Sequence, residues 1–359
     1  MKKLLTLVIL FTSTIASAGT LVINSNQSGE SSMAGFNSYV EAFKAAHPEV
    51  TVVVNEFEHE AYKTAIRNFL TAESPDVAIW FAGNRMKFFV DQNLFQDVSD
   101  VWADADLNDS MASTKGSLTV DGKQYGVPWG YYQWGVYYRK DLFDQLGLNV
   151  PRDWDEFKWV CAMLKKNGIT PITIGTKFLW TAGGWFDYLN LRINGYQFHM
   201  DLTAGKVSYE DPRLDAVFDH WRELIDPGYF LEDHASFSWQ DAQAPQINGE
   251  AAMYLIGNFY VPTFEAAGIG DKMDFFQFPT IYEGVGVAED APTDTMHIPS
   301  GAKNVEDAKK FLAFMSNKEA ATNWAKMGGM LSPNKYADKP TNRFSIMGAK
   351  MLAAADDIA

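Results

Sequence analysis

Residues 126–143 read GVPWGYYQWGVYYRKDLF, and seven of these eighteen residues are aromatic. Trp129, Tyr131, Tyr132, Trp134, Tyr137, Tyr138 and Phe143 share the segment with Pro128 and three glycines, Gly126, Gly130 and Gly135. Aromatic residues favour pleated, half-buried surfaces, so core packing in a strand is the plain reading. The sharper reading is that some of these rings line a ligand cleft. The rest of the chain has to decide between them.

Upstream, strand and helix patterns alternate. TLVINS with the preceding glycine predicts a first strand over 19–25, followed by the polar turn NQSGESS. MAGFNSYVEAFKAAHP then sets Phe36, Tyr39, Val40 and Phe43 on one helical face that stops before Pro48. EVTVVVNEF predicts a second strand, a helix follows over about 60–72, and SPDVAIWFAG supplies a turn and a third strand. Downstream, Asp153 is placed to cap WDEFKWVCAMLKKNG, whose Trp154, Phe157, Val160, Cys161 and Leu164 form an apolar stripe. ITPITIG and GEAAMYLIG predict strands. DPRLDAVFDHWRELIDPG predicts a helix with Leu214, Val217, Phe218, Trp221 and Leu224 inward. Strands separated by helices indicate an α/β architecture with a mainly parallel sheet.

The N-terminus MKKLLTLVILFTSTIASAGT has a basic start, an apolar run from Leu4 to Ile15, and Ala16-Ser17-Ala18 as a cleavage site. That is the pattern of a secretory signal peptide, expected over 1–18, and the run is shorter than the ~20 apolar residues of a membrane span. No cysteine stands near the site for a lipid anchor. The expected destination is the periplasm. The 30 basic and 45 acidic residues give a net charge of −15, and removing the leader takes two lysines and no acids, leaving −17. Such acidity disfavours binding to a phosphate backbone, which draws its affinity from clustered Lys and Arg, and no nucleic-acid partner is expected. The single cysteine, Cys161, excludes an intramolecular disulfide and reads as an inert buried thiol. A chain this long exceeds the roughly 250–300 residues at which one core stops growing, so two lobes with a cleft between them are expected.

Catalytic motifs are missing. There is no G-x-x-x-x-G-K-[ST], H-E-x-x-H or G-x-S-x-G. DADLNDSMASTK starts like a calcium loop at Asp104, but Asp109 stands where glycine is needed and Lys115 where glutamate is. The six histidines have no ligand spacing, and neither metal nor cofactor is expected. No sequence feature nominates a carboxylate pair for glycosidase chemistry. Aromatic clusters at turns stand out instead: Trp80 and Phe81, Trp180, Trp185 and Phe186, Trp239, and Phe259 with Tyr260 beside Asn258. Aromatic faces suit sugars, whose C–H patches pack flat on a ring while nearby polar groups bond the hydroxyls.

The order of these segments resembles the extracellular solute-binding protein family 1, the sugar-binding subunits of ABC importers. TLVINSN, SPDVAIW, DGKQYGVPWGYYQWGVYYRKDLFDQLGLNVPRDWDEF, GEAAMYLIGNF, FPT at 278–280 and HIPSGAKNVEDAKKFLAFMSN follow in the family's order across nearly the whole mature chain. The resemblance implies a two-lobe periplasmic-binding-protein fold of type II, with a central cleft and several interlobe crossings. It implies an N-terminal lobe of residues 19–130 plus 283–335 and a C-terminal lobe of 131–282 plus 336–359. The first crossing would fall near Pro128 to Trp134, and a return shortly after FPT.

Residue by residue, the resemblance implies ligand contacts from Gln27 and Ser28 after the first strand and from Trp80 at the end of the third. The maltose-binding members carry a carboxylate just after that strand. Here AGNR offers Asn84 and Arg85, a departure that argues against maltose. Trp129, Tyr131 and Tyr132 fall at the crossing, Trp180 and Trp185 on an aromatic platform, and Asn258 and Phe259 after the AAMYLIG strand. Trp239 and Asp241 precede that strand. Family members usually continue a few dozen residues beyond the position of Ala359.

The resulting expectation is a non-catalytic, monomeric periplasmic receptor that closes on a mono- or oligosaccharide and docks on the membrane permease of an ABC importer. The same fold holding an osmolyte, or a secreted glycoside hydrolase, are the rival readings.

Overall fold

The structure, a computed structural model, describes residues 19–359; the stretch 1–18 read as a leader lies outside the described residues. The first sheet has five strands in the order Thr51–Glu56, Thr20–Ser25, Val77–Phe81, Thr293–His297 and Val127–Tyr131. The first three are parallel, built by two crossover helices, Glu30–Ala46 and His59–Thr71. Thr293–His297 arrives from far along the chain and pairs antiparallel on both sides. The second sheet runs Met273–Phe276, Trp134–Arg139, Ala251–Gly257 and Thr170–Ile172. Each sheet carries its own apolar core. One draws on Leu21 to Trp129 and Met296 to Met330, the other on Trp134 to Phe278 together with Phe344.

Local signals place most elements where the sequence does. Asp153 caps the helix Trp154–Lys166, its carboxylate accepting from the Glu156 amide at 2.8 Å, and that helix's whole predicted stripe is buried. Phe218 is a departure: it is 46% exposed, packed sideways on Phe186 rather than inward.

Among the described residues the chain passes between the lobes three times. The first passage is only two residues long, Tyr132 and Gln133, between strands ending at Tyr131 and starting at Trp134. The return lies later than FPT. Glu289 is fully buried against Arg192 and Tyr188 of the second lobe, and Thr293 already pairs with Tyr131 in the first sheet, so 290–292 make the passage. Residues 283–289 therefore pack beside the second core rather than the first. The third passage follows Leu331, whose amide donates to the Tyr131 carbonyl at 2.8 Å, and leads to the helix Arg343–Ala354.

Candidate functional site: a two-walled cleft

A cavity of about 1370 Å³ opens between the lobes, lined by residues of both and by the first two passages. The helix Trp180–Ile193 supplies one wall. Trp180, Gly183, Gly184 and Asp187 stand at i, i+3, i+4 and i+7, so a single helical face looks into the cleft. Gly184 is required there, since a Cβ would lie 2.6 Å from the Trp134 ring. Trp134, Trp239, Phe259 and Tyr132 complete an aromatic surround. Their rings meet nearly edge-on: Trp134 on Trp180 at 85°, Trp239 on Phe259 at 88°, Tyr132 on Phe259 at 87°.

The opposite wall is polar. Asn26, Gln27 and Ser28 follow the first strand, His59 and Lys63 come from one helix, and Arg85 and Asp294 close the set. Arg85 is held between rings, 4.2 Å from the Phe81 centroid and 5.0 Å from that of Trp80. Lys63 pairs with Glu60 at 2.8 Å and lies 5.6 Å over the Trp180 ring, so the walls meet across the mouth. Asn84 adds a second bridge, donating to the Thr203 carbonyl at 3.3 Å.

Burial controls the charges. It raises the Asp294 carboxyl to about 7, with Arg85 and Lys63 pulling the other way, and one Asp294 oxygen has no partner. Burial, then Lys63 and Arg85, push His59 down to about 3, leaving it neutral. The arrangement offers stacking faces, donors and acceptors. Among the described residues, no group of three or more His, Cys, Asp or Glu is placed to hold a metal ion.

Eight of the thirteen residues expected at the ligand line this cavity: Gln27, Ser28, Arg85, Tyr131, Tyr132, Trp180, Trp239 and Phe259. Five do not. Trp185 is fully buried against Phe230 and Phe278, because it stands five residues past Trp180 and so turns to the opposite helical face. Trp129 lies in the first core, on Phe36 and Trp324. A bulge, where the register shifts from Gly130–Asp294 to Pro128–Thr295, breaks strand alternation at that ring. Trp80 alternates with Phe81, so Phe81 takes the cleft and Trp80 packs on Phe89. Asn258 is buried without a partner for either amide atom. Asp241 is exposed and accepts from the Ser238 amide and hydroxyl.

Sequence reading missed Asp187, Asp290, Asp294, Trp134, His59 and Lys63. Of these Trp134 carried a local signal, its place in the aromatic stretch 126–143, and Asp187 another, its i+7 spacing from Trp180. Asp294 reaches the site through a strand pairing that no local pattern announces.

The model of the family described as bacterial extracellular solute-binding protein matches residues 26–322, and this chain belongs to that family. Among solved structures, the bacterial solute receptor AcbH, described as having an exclusive substrate preference for β-D-galactopyranose, superposes with a TM-score of 0.89. It is 32% identical, over 95% of this chain and 87% of that one. A structure from work on xylan utilisation by Caldanaerobius polysaccharolyticus shares the fold with a TM-score of 0.87 at 23% identity, over 95% of this chain and 89% of that one. An uncharacterised ABC transporter extracellular-binding protein of Pyrococcus horikoshii is 26% identical over 84% of this chain and 69% of its own length. A second such protein of that organism is 24% identical over 79% of this chain, which spans 65% of that relative's length.

Proposed function

We propose that the protein is the carbohydrate receptor of an ABC importer, working in the periplasm without catalysis. The observation that carries this reading is the division of one interlobe cleft into an aromatic wall and a hydrogen-bonding wall. A pyranose matches both at once, its C–H faces on the rings and its hydroxyls on the polar side. Sugar held by both walls stabilises the closed arrangement of the lobes, and only that difference in affinity shifts the equilibrium. The closed form then docks on the membrane permease. Two separate cores support the lobe division 19–130 plus 283–335 and 131–282 plus 336–359, with 283–289 reassigned to the second lobe.

The 32% identity to a galactopyranose receptor makes D-galactose the first ligand to test. Titration calorimetry against neutral hexoses and their oligomers should show binding to at least one. Tight binding of an osmolyte such as glycine betaine, with every sugar inert, would overturn the carbohydrate reading. Recovery of the sugar unchanged separates a receptor from a hydrolase.

A further inference from the structure

Beside the interlobe cleft the first lobe carries a second cavity, a groove of about 530 Å³ between the helices His59–Thr71 and Gly83–Val90. Lys63 and Arg67, one turn apart on the first helix, and Arg85, in the first turn of the second, all line it, and no acidic residue does. In a chain with 45 acidic and 30 basic residues, that is a local reversal of sign. Lys63 pairs with Glu60 at 2.8 Å. Arg67 and Arg85 are exposed, and among the described residues neither guanidinium has an ion-pair or hydrogen-bond partner. Each lies on a ring instead, Arg67 at 5.2 Å from the Phe88 centroid and Arg85 at 5.0 Å from that of Trp80, which leaves the N–H edges free. The helix Gly83–Val90 has no side-chain cap, so the positive end of its dipole adds to the same site. The nearby acids are engaged elsewhere: Glu58 accepts from the amides of Glu60 and Ala61 at 2.8 and 2.9 Å, and burial lifts the Asp294 carboxyl to about 7.

Like charges at i and i+4 cost a helix stability, and an anion between them removes that cost. A carboxylate also matches the planar fork of a guanidinium. Lys63 and Arg85 line the interlobe cleft as well, so groove and cleft meet at these two cations. We propose that the ligand is an acidic saccharide, with one sugar ring on the aromatic wall of the cleft and the carboxylate of a hexuronate unit held in the groove by Arg67, Arg85 and Lys63. This rests on the carbohydrate reading above. A free inorganic anion would answer the charge alone. The Phe88 ring, 48% exposed beside Arg67, also offers a face to the C–H surface of a sugar that carries the charge.

The test is calorimetric titration of the full chain with D-galactose, digalacturonic acid and the dimethyl ester of that acid, at low and at high sodium chloride. At low salt the acid should bind at least about tenfold tighter than its ester, and the margin should shrink at high salt. Arg67→Gln, which takes a charge from the groove and none from the cleft lining, should remove most of that margin and leave affinity for the ester unchanged. Equal binding of acid and ester, or a preference for the acid that Arg67→Gln and Arg85→Gln both leave intact, overturns the acidic-ligand inference alone. So does binding of D-galactose or another neutral sugar with no binding of the acid, and so does saturable binding of inorganic phosphate that digalacturonic acid does not displace. Failure of acidic and neutral sugars alike overturns this inference and the carbohydrate reading together.

Discussion

Trp129 stacks on Trp324 with ring centroids 4.4 Å apart and planes 12° apart, and Phe36 closes the stack edge-on at 5.4 Å. The tryptophan three residues before the first passage therefore ties the late helix Lys318–Gly328 to the first sheet instead of lining the cleft. Trp129→Ala should cost about 3–5 kcal/mol of stability, as large core truncations do, while the folded fraction binds sugar with unchanged affinity. Chemical denaturation paired with calorimetry separates the two effects.

Trp239 stands on the other side of that division, half-buried and lining the cleft against Phe259. Trp239→Ala should weaken sugar binding about 10- to 100-fold, equivalent to about 1.4–2.8 kcal/mol, with little loss of stability. Unchanged affinity would remove this ring from the ligand surface.

The Arg192–Glu289 pair is 2% and 0% exposed and anchors the return passage. Glu289→Gln or Arg192→Met alone should destabilise by about 3–5 kcal/mol, because each leaves a buried charge without its partner. Arg192→Met combined with Glu289→Leu should recover much of that loss. A urea-denaturation double-mutant cycle measures the coupling.

Asp294 has a folded-state value near 7, above the ordinary carboxylate range. Its contribution is present below about pH 4 and is lost as pH rises to about 7. Stability of the ligand-free protein relative to Asp294→Asn should fall by about 1–3 kcal/mol across that window and level off above it. Denaturation midpoints of the two proteins at pH 4.5, 6 and 8 report the difference.

His297 gives the opposite sign. Its Nδ1–H donates to the Tyr125 carbonyl at 2.7 Å, Nε2 accepts from the Thr295 hydroxyl at 2.6 Å, and the ring stacks on Phe95 at 4.3 Å. Burial pushes it down to about 4, so its contribution holds above the usual value near 6.5 and is lost as pH falls toward 4. Relative to His297→Gln, the protein should lose about 1–2 kcal/mol between pH 7 and pH 5.

The alternation of strands and helices, the cap at Asp153 and the segment order identified the α/β lobes from the linear chain, because those signals are local and repeat at periods of two and 3.6. Aromatic richness at the passages was equally legible, and Tyr131, Tyr132, Trp180, Trp239 and Phe259 do line the cleft. Which ring of a pair faces it was less so. Trp180 and Trp185 are chemically alike, and 100° of helix per residue sends one to the cleft and the other to the core. In GVPWGYYQWGVYYRKDLF a bulge and a two-residue passage divide the rings: Trp129 to the first core, Tyr131, Tyr132 and Trp134 to the cleft, and Tyr137, Tyr138 and Phe143 to the second core. The carboxyls of the site had no local signature beyond the spacing of Asp187. Asp290 and Asp294 enter only because a strand more than 200 residues from Val77–Phe81 in the chain inserts beside it, and because Arg192 holds the passage just before. Periodicity belongs to neighbours along the chain; convergence of distant segments on one cleft is a property of the packed molecule alone.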